Sequence, residues 1–127
     1  MEPEDFARQF AILWSRRDVQ GLAAMMTSDA DMLTLTGVWA EGQKAILAAL
    51  ESEFSGIFSR ARLVTGRAKA RRINADTAVL HQRFVLSGLV DAEGNDMGRI
   101  GALLVATLTT SPQGWQAVAL QFCATEG

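Results

Sequence analysis

The stretch Asp76-Thr-Ala-Val-Leu-His81 lies in the half of the chain that decides the fold. It belongs to one of several segments that are rich in Val, Leu, Thr and Arg. These segments are separated by turn sequences such as Glu93-Gly94-Asn95-Asp96 and Ser111-Pro112-Gln113-Gly114. Segments of this kind are typical of strands joined by hairpins. The pattern predicts four antiparallel strands, at about 61–73, 77–88, 97–110 and 115–124.

The first half of the chain has a helical pattern instead. Apolar residues spaced three or four apart predict one helix from Phe6 to about Arg17. Asp18 is a favourable capping residue for a second, short helix, and a third is predicted after Gly42.

One short strand is expected between the second and third helices. Thr27-Ser28-Asp29 is predicted to end the second helix, and the strand is predicted around Met32, before Gly37. Three helices with an early strand, followed by four long strands, indicate an α+β fold whose helices cover one face of a curved antiparallel sheet. No linker or repeat interrupts this order, so residues 1–127 are expected to form one domain.

Composition narrows the classes of function. The chain has 127 residues, of which 49% are hydrophobic, and a formal net charge of -2. Such a chain is too apolar to be disordered, and its charge gives no long-range attraction to nucleic acid or to an anionic membrane. Cys123 is the only cysteine and His81 the only histidine, so we expect no disulfide and no Cys/His zinc site within one chain. No other metal site and no cofactor are expected.

The cytoplasm is the expected location. The segment Met1-Glu2-Pro3-Glu4-Asp5 is acidic where a signal or transit peptide would be basic. The longest apolar run, Ile100 to Leu108, is about half the length that a membrane span needs.

A basic run precedes the turn at Asn74, with Arg67, Lys69 and Arg71 alternating on one predicted strand face. No aromatic residue that could stack on bases is interleaved with them. We therefore expect a solvated sheet face or the rim of a dimer rather than a nucleic-acid site. The whole run comprises Arg60, Arg62, Arg67, Lys69, Arg71 and Arg72.

Several segments together resemble SnoaL-like proteins of the nuclear transport factor 2-like superfamily. They are Trp14-Ser-Arg-Arg-Asp18, Thr36-Gly-Val-Trp39-Ala-Glu-Gly42, Asp76-Thr-Ala-Val-Leu-His81 and Gly114-Trp115-Gln-Ala-Val-Ala-Leu-Gln121. The resemblance implies the cone-shaped cystatin-like fold with an interior pocket. Relatives include polyketide cyclases, ketosteroid isomerases, epoxide hydrolases and association domains, so the fold does not settle the function.

The residues that carry chemistry in two of these relatives are not matched here. By spacing, Phe10 stands where ketosteroid isomerases have a tyrosine, and Thr34 stands where they have the proton-transferring aspartate. The Asp-Arg-Asp arrangement of the epoxide hydrolases also has no counterpart, because no Asp or Glu lies between Met97 and Glu126. Phe10 and Thr34 remain candidates for lining a pocket.

His81 and Arg83 lie two residues apart on one predicted strand and therefore share a face. If that face lines the pocket, His81 could act as a general acid or base and Arg83 could hold an anionic oxygen. The alternative places both on the outer face or at a subunit contact.

The last strand is predicted to form a pocket wall. Gln121 and Ala119 should share a face with Ala117 and Cys123 that points toward the helices, although simple core packing is the alternative. The opposite set, Val118, Leu120 and Phe122, should point away and make a homodimer contact.

Two further residues are candidates. Trp39 could cap the pocket and stack on a flat ligand, or it could simply fill space. Asp31 could be an acid at the start of the first strand, or it could serve a turn or a helix cap. The sequence favours a protein or enzyme that binds a small apolar or aromatic molecule in an apolar pocket, and the alternative is a non-catalytic homodimeric association module.

Overall fold

The computed structural model describes residues 2–125, which form three helices and six strands around one sheet. In chain order they are α1 (Glu4–Ser15), α2 (Val19–Ala24), β1 (Met26–Leu33), β2 (Trp39–Glu41), α3 (Gln43–Ser55), β3 (Arg62–Asn74), β4 (Thr77–Ser87), β5 (Ile100–Ser111) and β6 (Gly114–Thr125). The sheet order is β2-β1-β6-β5-β4-β3, and all neighbours are antiparallel except β1 and β6. This confirms the predicted α+β fold with helices on a curved, mostly antiparallel sheet.

The four long strands lie close to their predicted positions, whereas the first strand begins earlier than expected. It starts at Met26 and includes Thr27-Ser28-Asp29, which the sequence assigns to a break. Met26 pairs with Ala117 of β6, and the Ala117 N–H donates to the carbonyl oxygen of Met25 at 2.9 Å. This long-range pairing outweighs the local turn preference of Thr, Ser and Asp. The three-residue strand β2 was not predicted.

The helices cover one face of the sheet, called here the inner face; the opposite face is the outer face. The helical stripe predicted on α1 is buried, with Phe10 5.8 Å from Phe122 and 6.5 Å from Phe84 between ring centroids. Asp18 caps α2 as predicted, because its carboxylate accepts the Gly21 N–H at 2.9 Å.

Among residues 2–125, no helix is both long enough and apolar enough to cross a membrane.

A bulge in β6 reverses the predicted orientation of half of that strand. Leu108 pairs with Ala117 but Thr107 pairs with Ala119, so Val118 is an extra residue on the β6 side. Side chains along a strand alternate between the two faces of the sheet. One inserted residue therefore moves each later side chain of the strand to the face opposite the one predicted. Ala117 points inward as predicted, whereas the prediction for Ala119 is wrong.

The consequence extends to the end of the strand. Leu120 is 1% exposed and Phe122 packs on Phe10, so both lie on the inner face. Gln121 and Cys123 are exposed on the outer face. The predicted pocket wall and the predicted dimer stripe have thus exchanged places beyond Val118.

A first expected result concerns the turn after β4. Gly88 has φ of +75°, and a Cβ there would overlap the backbone carbonyl oxygen of Arg60. Gly88→Ala combines left-handed strain with a backbone clash, so we expect it to lower the free energy of unfolding by about 3 kcal/mol in urea titration. Gly94→Ala is the matched control, because φ is +83° there and nothing lies within 4 Å of the added Cβ. It should cost only about 1 to 2 kcal/mol, and the reverse order would contradict this geometry.

Candidate functional site

A small cavity lies between α3 and the inner face of the sheet. Its volume is about 10 Å³, which is room for about one water molecule. Apolar and aromatic side chains form most of its lining, and Thr34 and Glu53 are the polar members. The lining residues are Trp14, Met32, Thr34, Leu35, Leu50, Glu53, Phe58, Leu86 and Phe122.

Glu53 ends a chain of hydrogen bonds at this cavity. The Thr36 hydroxyl donates to Glu53 Oε2 at 2.7 Å, and the Thr34 and Thr36 hydroxyl oxygens are 3.2 Å apart. Because the Thr36 proton is directed at the carboxylate, the Thr34 hydroxyl must be the donor between the two threonines. Thr34 Oγ1 in turn accepts the Val38 N–H at 3.0 Å. This series of hydrogen bonds holds the carboxylate of Glu53 in a fixed position.

The second oxygen of this carboxylate has acceptor capacity left. Within residues 2–125, Glu53 Oε1 accepts no hydrogen bond, and because no fully buried side-chain oxygen there lacks a partner, this oxygen is within reach of solvent; the residue as a whole is 9% exposed. A carboxylate oxygen without a protein donor favours any donor that reaches it. A hydroxyl, an amine or a water molecule in the cavity would meet that requirement.

The position of Glu53 follows from the helical repeat. Ile46, Leu50 and Glu53 are the buried residues of α3, and their spacing of four and three places them on one face. The sequence analysis did not select Glu53. The signal was present, because a glutamate in register with an apolar stripe is directed toward the core rather than toward solvent.

Aromatic rings and one guanidinium fix one wall of the cavity. The Trp14 ring meets Phe54 edge-on at 5.0 Å and lies 5.6 Å from Phe58. The Arg17 guanidinium lies 5.4 Å from the Trp14 ring centroid and donates to the Ala61 carbonyl oxygen at 2.6 Å. Arg17 therefore ties α1 to the segment between α3 and β3.

Of the two residues placed by comparison with the isomerases, Thr34 lines the cavity and Phe10 does not. Thr34 is 3% exposed and belongs to the hydrogen-bond chain that ends at Glu53. Phe10 is fully buried one layer away, against Phe84 and Phe122. Its contribution to the cavity is indirect, through the position of the Phe122 ring.

Four of the predicted site residues come together on the outer face instead. Asp31, Trp39, Ala119 and Gln121 line a shallow hollow of about 370 Å³, together with Leu33 and Leu120. Trp39 lies on the edge strand β2 and is 67% exposed, so it does not cap the interior. The bulge at Val118 explains why Ala119 and Gln121 lie outside, and Asp31 follows from its pairing with Ala119.

His81 and Arg83 also lie on the outer face, in agreement with the second of the two alternatives for them. They line a hollow of about 240 Å³ with Arg67, Lys69 and Leu103. Neither residue approaches the cavity at Glu53, which rules out the interior acid, base or oxyanion role in this arrangement. Within residues 2–125, no group of three or more His, Cys, Asp and Glu side chains is placed to hold a metal ion.

A wider groove of about 680 Å³ runs between α1, α2 and the start of β6. Phe6, Leu13, Met25 and Trp115 supply its apolar surface. The carboxylate there, Asp5, is already paired with Arg8. The interior cavity is the better candidate because Glu53 is only 9% exposed and keeps one carboxylate oxygen to which no described residue donates.

No protein-family profile matches this sequence, and no curated protein matches it either. Several solved structures do match its fold. A nuclear transport factor 2-like protein with a cystatin-like fold from Novosphingobium aromaticivorans is 18% identical with a TM-score of 0.76, over 97% of this chain and 79% of that one. The chain has the cystatin-like fold.

Two further solved structures with a similar fold are described as proteins with different roles. A ketosteroid isomerase-like protein from Erwinia carotovora atroseptica is 18% identical with a TM-score of 0.78, over 98% of this chain and 94% of that one. A calcium/calmodulin dependent protein kinase II association domain from Xanthomonas campestris is 14% identical with a TM-score of 0.75, over 91% and 80%. The cystatin-like fold alone therefore does not choose between small-molecule chemistry and assembly.

Proposed function

We propose that this protein binds a small, mostly apolar molecule at the Glu53 end of its interior. The observation that carries the proposal is Glu53, a residue only 9% exposed, with one carboxylate oxygen held by Thr36 and the other accessible and without a donor from the described residues. Apart from Thr34, the rest of the lining is apolar or aromatic, which suits the body of a flat or aliphatic ligand. The favoured ligand class is an apolar molecule that carries one hydroxyl or amine.

Binding requires the cavity to widen. At about 10 Å³ it has room for a water molecule but not for a ring. Leu35 lies in the loop between β1 and β2 and Phe122 near the end of β6, and both are only partly buried. We expect these two side chains to move before those of Leu50 and Leu86, because they are the less buried of the four.

The proposal is tested by screening and one substitution. Phenols, sterols and terpenoid alcohols are screened by thermal shift, since a ligand that binds only the folded state raises its apparent stability. Glu53→Gln keeps an acceptor for Thr36 and removes the charge, so we expect any hit to bind about 10-fold more weakly by calorimetry.

Glu51→Gln is the matched control, because Glu51 lies on the exposed side of the same helix. It should leave the affinity unchanged. A screen without hits, or a hit that binds the Glu53 and Glu51 variants equally well, would argue against this site.

We propose as a second candidate that the outer face associates two copies of the chain. The outer face carries Leu33 at 41% exposure and Trp39 at 67%, and no helix covers it. Large apolar side chains on an uncovered sheet face are typical of a protein interface. The apolar contact expected from Val118, Leu120 and Phe122 is therefore replaced by one from Leu33, Trp39 and their neighbours, with Val118 at its margin.

A further inference from the structure

The hollow of about 240 Å³ on the outer face is strongly basic, and it is called here the basic hollow. Its polar lining consists of Arg67, Lys69, His81 and Arg83, all of them exposed. The chain as a whole has a formal net charge of -2, so this concentration of positive charge runs against the balance of the sequence. A concave surface lined by charges of one sign raises the local concentration of ions of the opposite sign.

The protein supplies no counter-charge to the basic hollow within residues 2–125. None of the four polar side chains is in an ion pair or a side-chain hydrogen bond there. Lys69 is the cross-strand partner of His81 on β4. On the other side of β4, the partners of His81 and Arg83 are the apolar residues Val105 and Leu103. Cations held side by side on one sheet face repel one another, and a bound anion would remove that repulsion.

A bulge in β3 brings the two arginines of the basic hollow together. Gly66 and Arg67 both oppose the single residue Arg83, which leaves β3 with one extra residue. Gln82 spans this irregularity from the inner face and is only 4% exposed. Its amide donates to the carbonyl oxygens of Gly66 at 3.1 Å and of Arg83 at 2.8 Å. The backbone that carries the two guanidinium groups is therefore fixed from beneath by a buried hydrogen-bond donor.

The donors of the basic hollow suit a phosphate better than a carboxylate. Two guanidinium groups each present a planar pair of N–H donors, and Lys69 adds an ammonium group. A carboxylate has two oxygens to accept them, whereas the terminal phosphate of a monoester has three and carries close to two negative charges. Leu103 adds an apolar surface to the same hollow, on which a short organic group can lie.

We propose that the basic hollow binds the terminal phosphate of a small phosphate monoester. Arg67 and Arg83 hold the phosphate oxygens, and Lys69 and His81 donate further hydrogen bonds. Single-stranded nucleic acid is the less suitable partner, because no aromatic side chain lines the hollow to stack on a base.

The phosphate site is separate from both candidate functions. Glu53 lies on the inner side of the sheet, at the interior cavity. Leu33 and Trp39 belong to β1 and β2, which β6 and β5 separate from β4. Phosphate binding can therefore fail or succeed without deciding either the interior site or self-association.

Calorimetric titration with a matched pair of probes tests the proposal. At about pH 8 phenyl phosphate carries close to two negative charges, and methyl phenyl phosphate, which differs by one methyl ester, carries one. We expect phenyl phosphate to bind at low salt with a Kd of about 1 mM or lower. The diester should bind at least about 10-fold more weakly. It stands for the phosphates of nucleic acid and of phospholipids, and benzoate stands for carboxylates.

Two substitutions locate the binding. Arg83→Gln removes one guanidinium group from the basic hollow and should weaken phenyl phosphate binding about 10-fold or more. Arg62→Gln is the matched control, because Arg62 is exposed on the same sheet, pairs with Ser87 at the start of β3 and does not line the hollow. It makes the same change in net charge and should leave the affinity nearly unchanged. Urea titration should show that both variants fold as the unaltered protein does.

Four results would overturn the proposal. The first is the absence of phenyl phosphate binding up to about 10 mM by the folded, unaltered protein. Equal binding of the diester would indicate a phosphodiester partner instead, and tighter binding of benzoate would indicate a carboxylate. Equal weakening by Arg62→Gln and Arg83→Gln would show that the overall charge, and not the basic hollow, attracts the anion.

Discussion

Leu120→Glu is expected to unfold the protein rather than to weaken the self-association proposed above. Leu120 is 1% exposed on the inner face, where Thr107, Val118 and the bulge between them have turned it toward the helices. A carboxylate there would be buried without a partner, at a cost of about 4 kcal/mol or more. That is a large part of the roughly 5 to 15 kcal/mol by which domains of this size are stable. Circular dichroism and urea titration should show loss of the cooperative transition.

Gln121→Glu is the matched control for this result. It introduces the same carboxylate at the adjacent position, which is exposed on the outer face. We expect its free energy of unfolding to stay within about 0.5 kcal/mol of the unaltered protein. If Leu120→Glu instead folds normally and Gln121→Glu unfolds, β6 has no bulge at Val118 and the strand faces are the opposite of those described.

Leu33→Asp is expected to weaken strongly the self-association proposed for the outer face while leaving the fold intact. Leu33 is 41% exposed on the outer face, between Trp39 and Gln121 in the sheet. Every dimer contains the substitution twice, so two apolar contacts are lost and two carboxylates are buried at the interface. We expect association to weaken at least about 100-fold in sedimentation experiments.

The control for this variant is Ile12→Asp on α1. Ile12 is 45% exposed, so the two substitutions remove nearly equal exposed apolar surface from different sides of the molecule. Ile12→Asp should leave the association constant unchanged. Equal effects of Leu33→Asp and Ile12→Asp would show that general surface polarity, and not the outer face, controls association.

The periodicity of the sequence predicted the helices and the four long strands well because their signals are local. The stripe through Phe6 and Phe10, the Asp18 cap and the turn at Ser111–Gly114 each act within a few residues. The start of β1 was less predictable. Its first residues are held by Ala117, some ninety residues away, and no local pattern reports such a pairing.

The candidate site was predicted only in part. Thr34 was selected by resemblance and does line the cavity, whereas Glu53 was present on the apolar stripe of α3 and was passed over. His81 and Arg83 were correctly placed on a common face, but the sequence does not show which of the two faces of a strand packs on the helices. Which one packs on the helices depends on the whole sheet.

The sequence by itself determined the α+β architecture, the hairpin order and the sharing of faces within uninterrupted strands, because these follow from spacing along the chain. The tertiary structure decided which face of each strand is covered and where the alternation is broken. The extra residue at Val118 cannot be detected from a period-of-two pattern in the sequence. The bulge is defined by how β6 pairs with Thr107 and Leu108 on the neighbouring strand. The tertiary structure thus brings Asp31, Trp39, Ala119 and Gln121 together on the outer face, whereas Glu53 and Thr34 line the interior cavity.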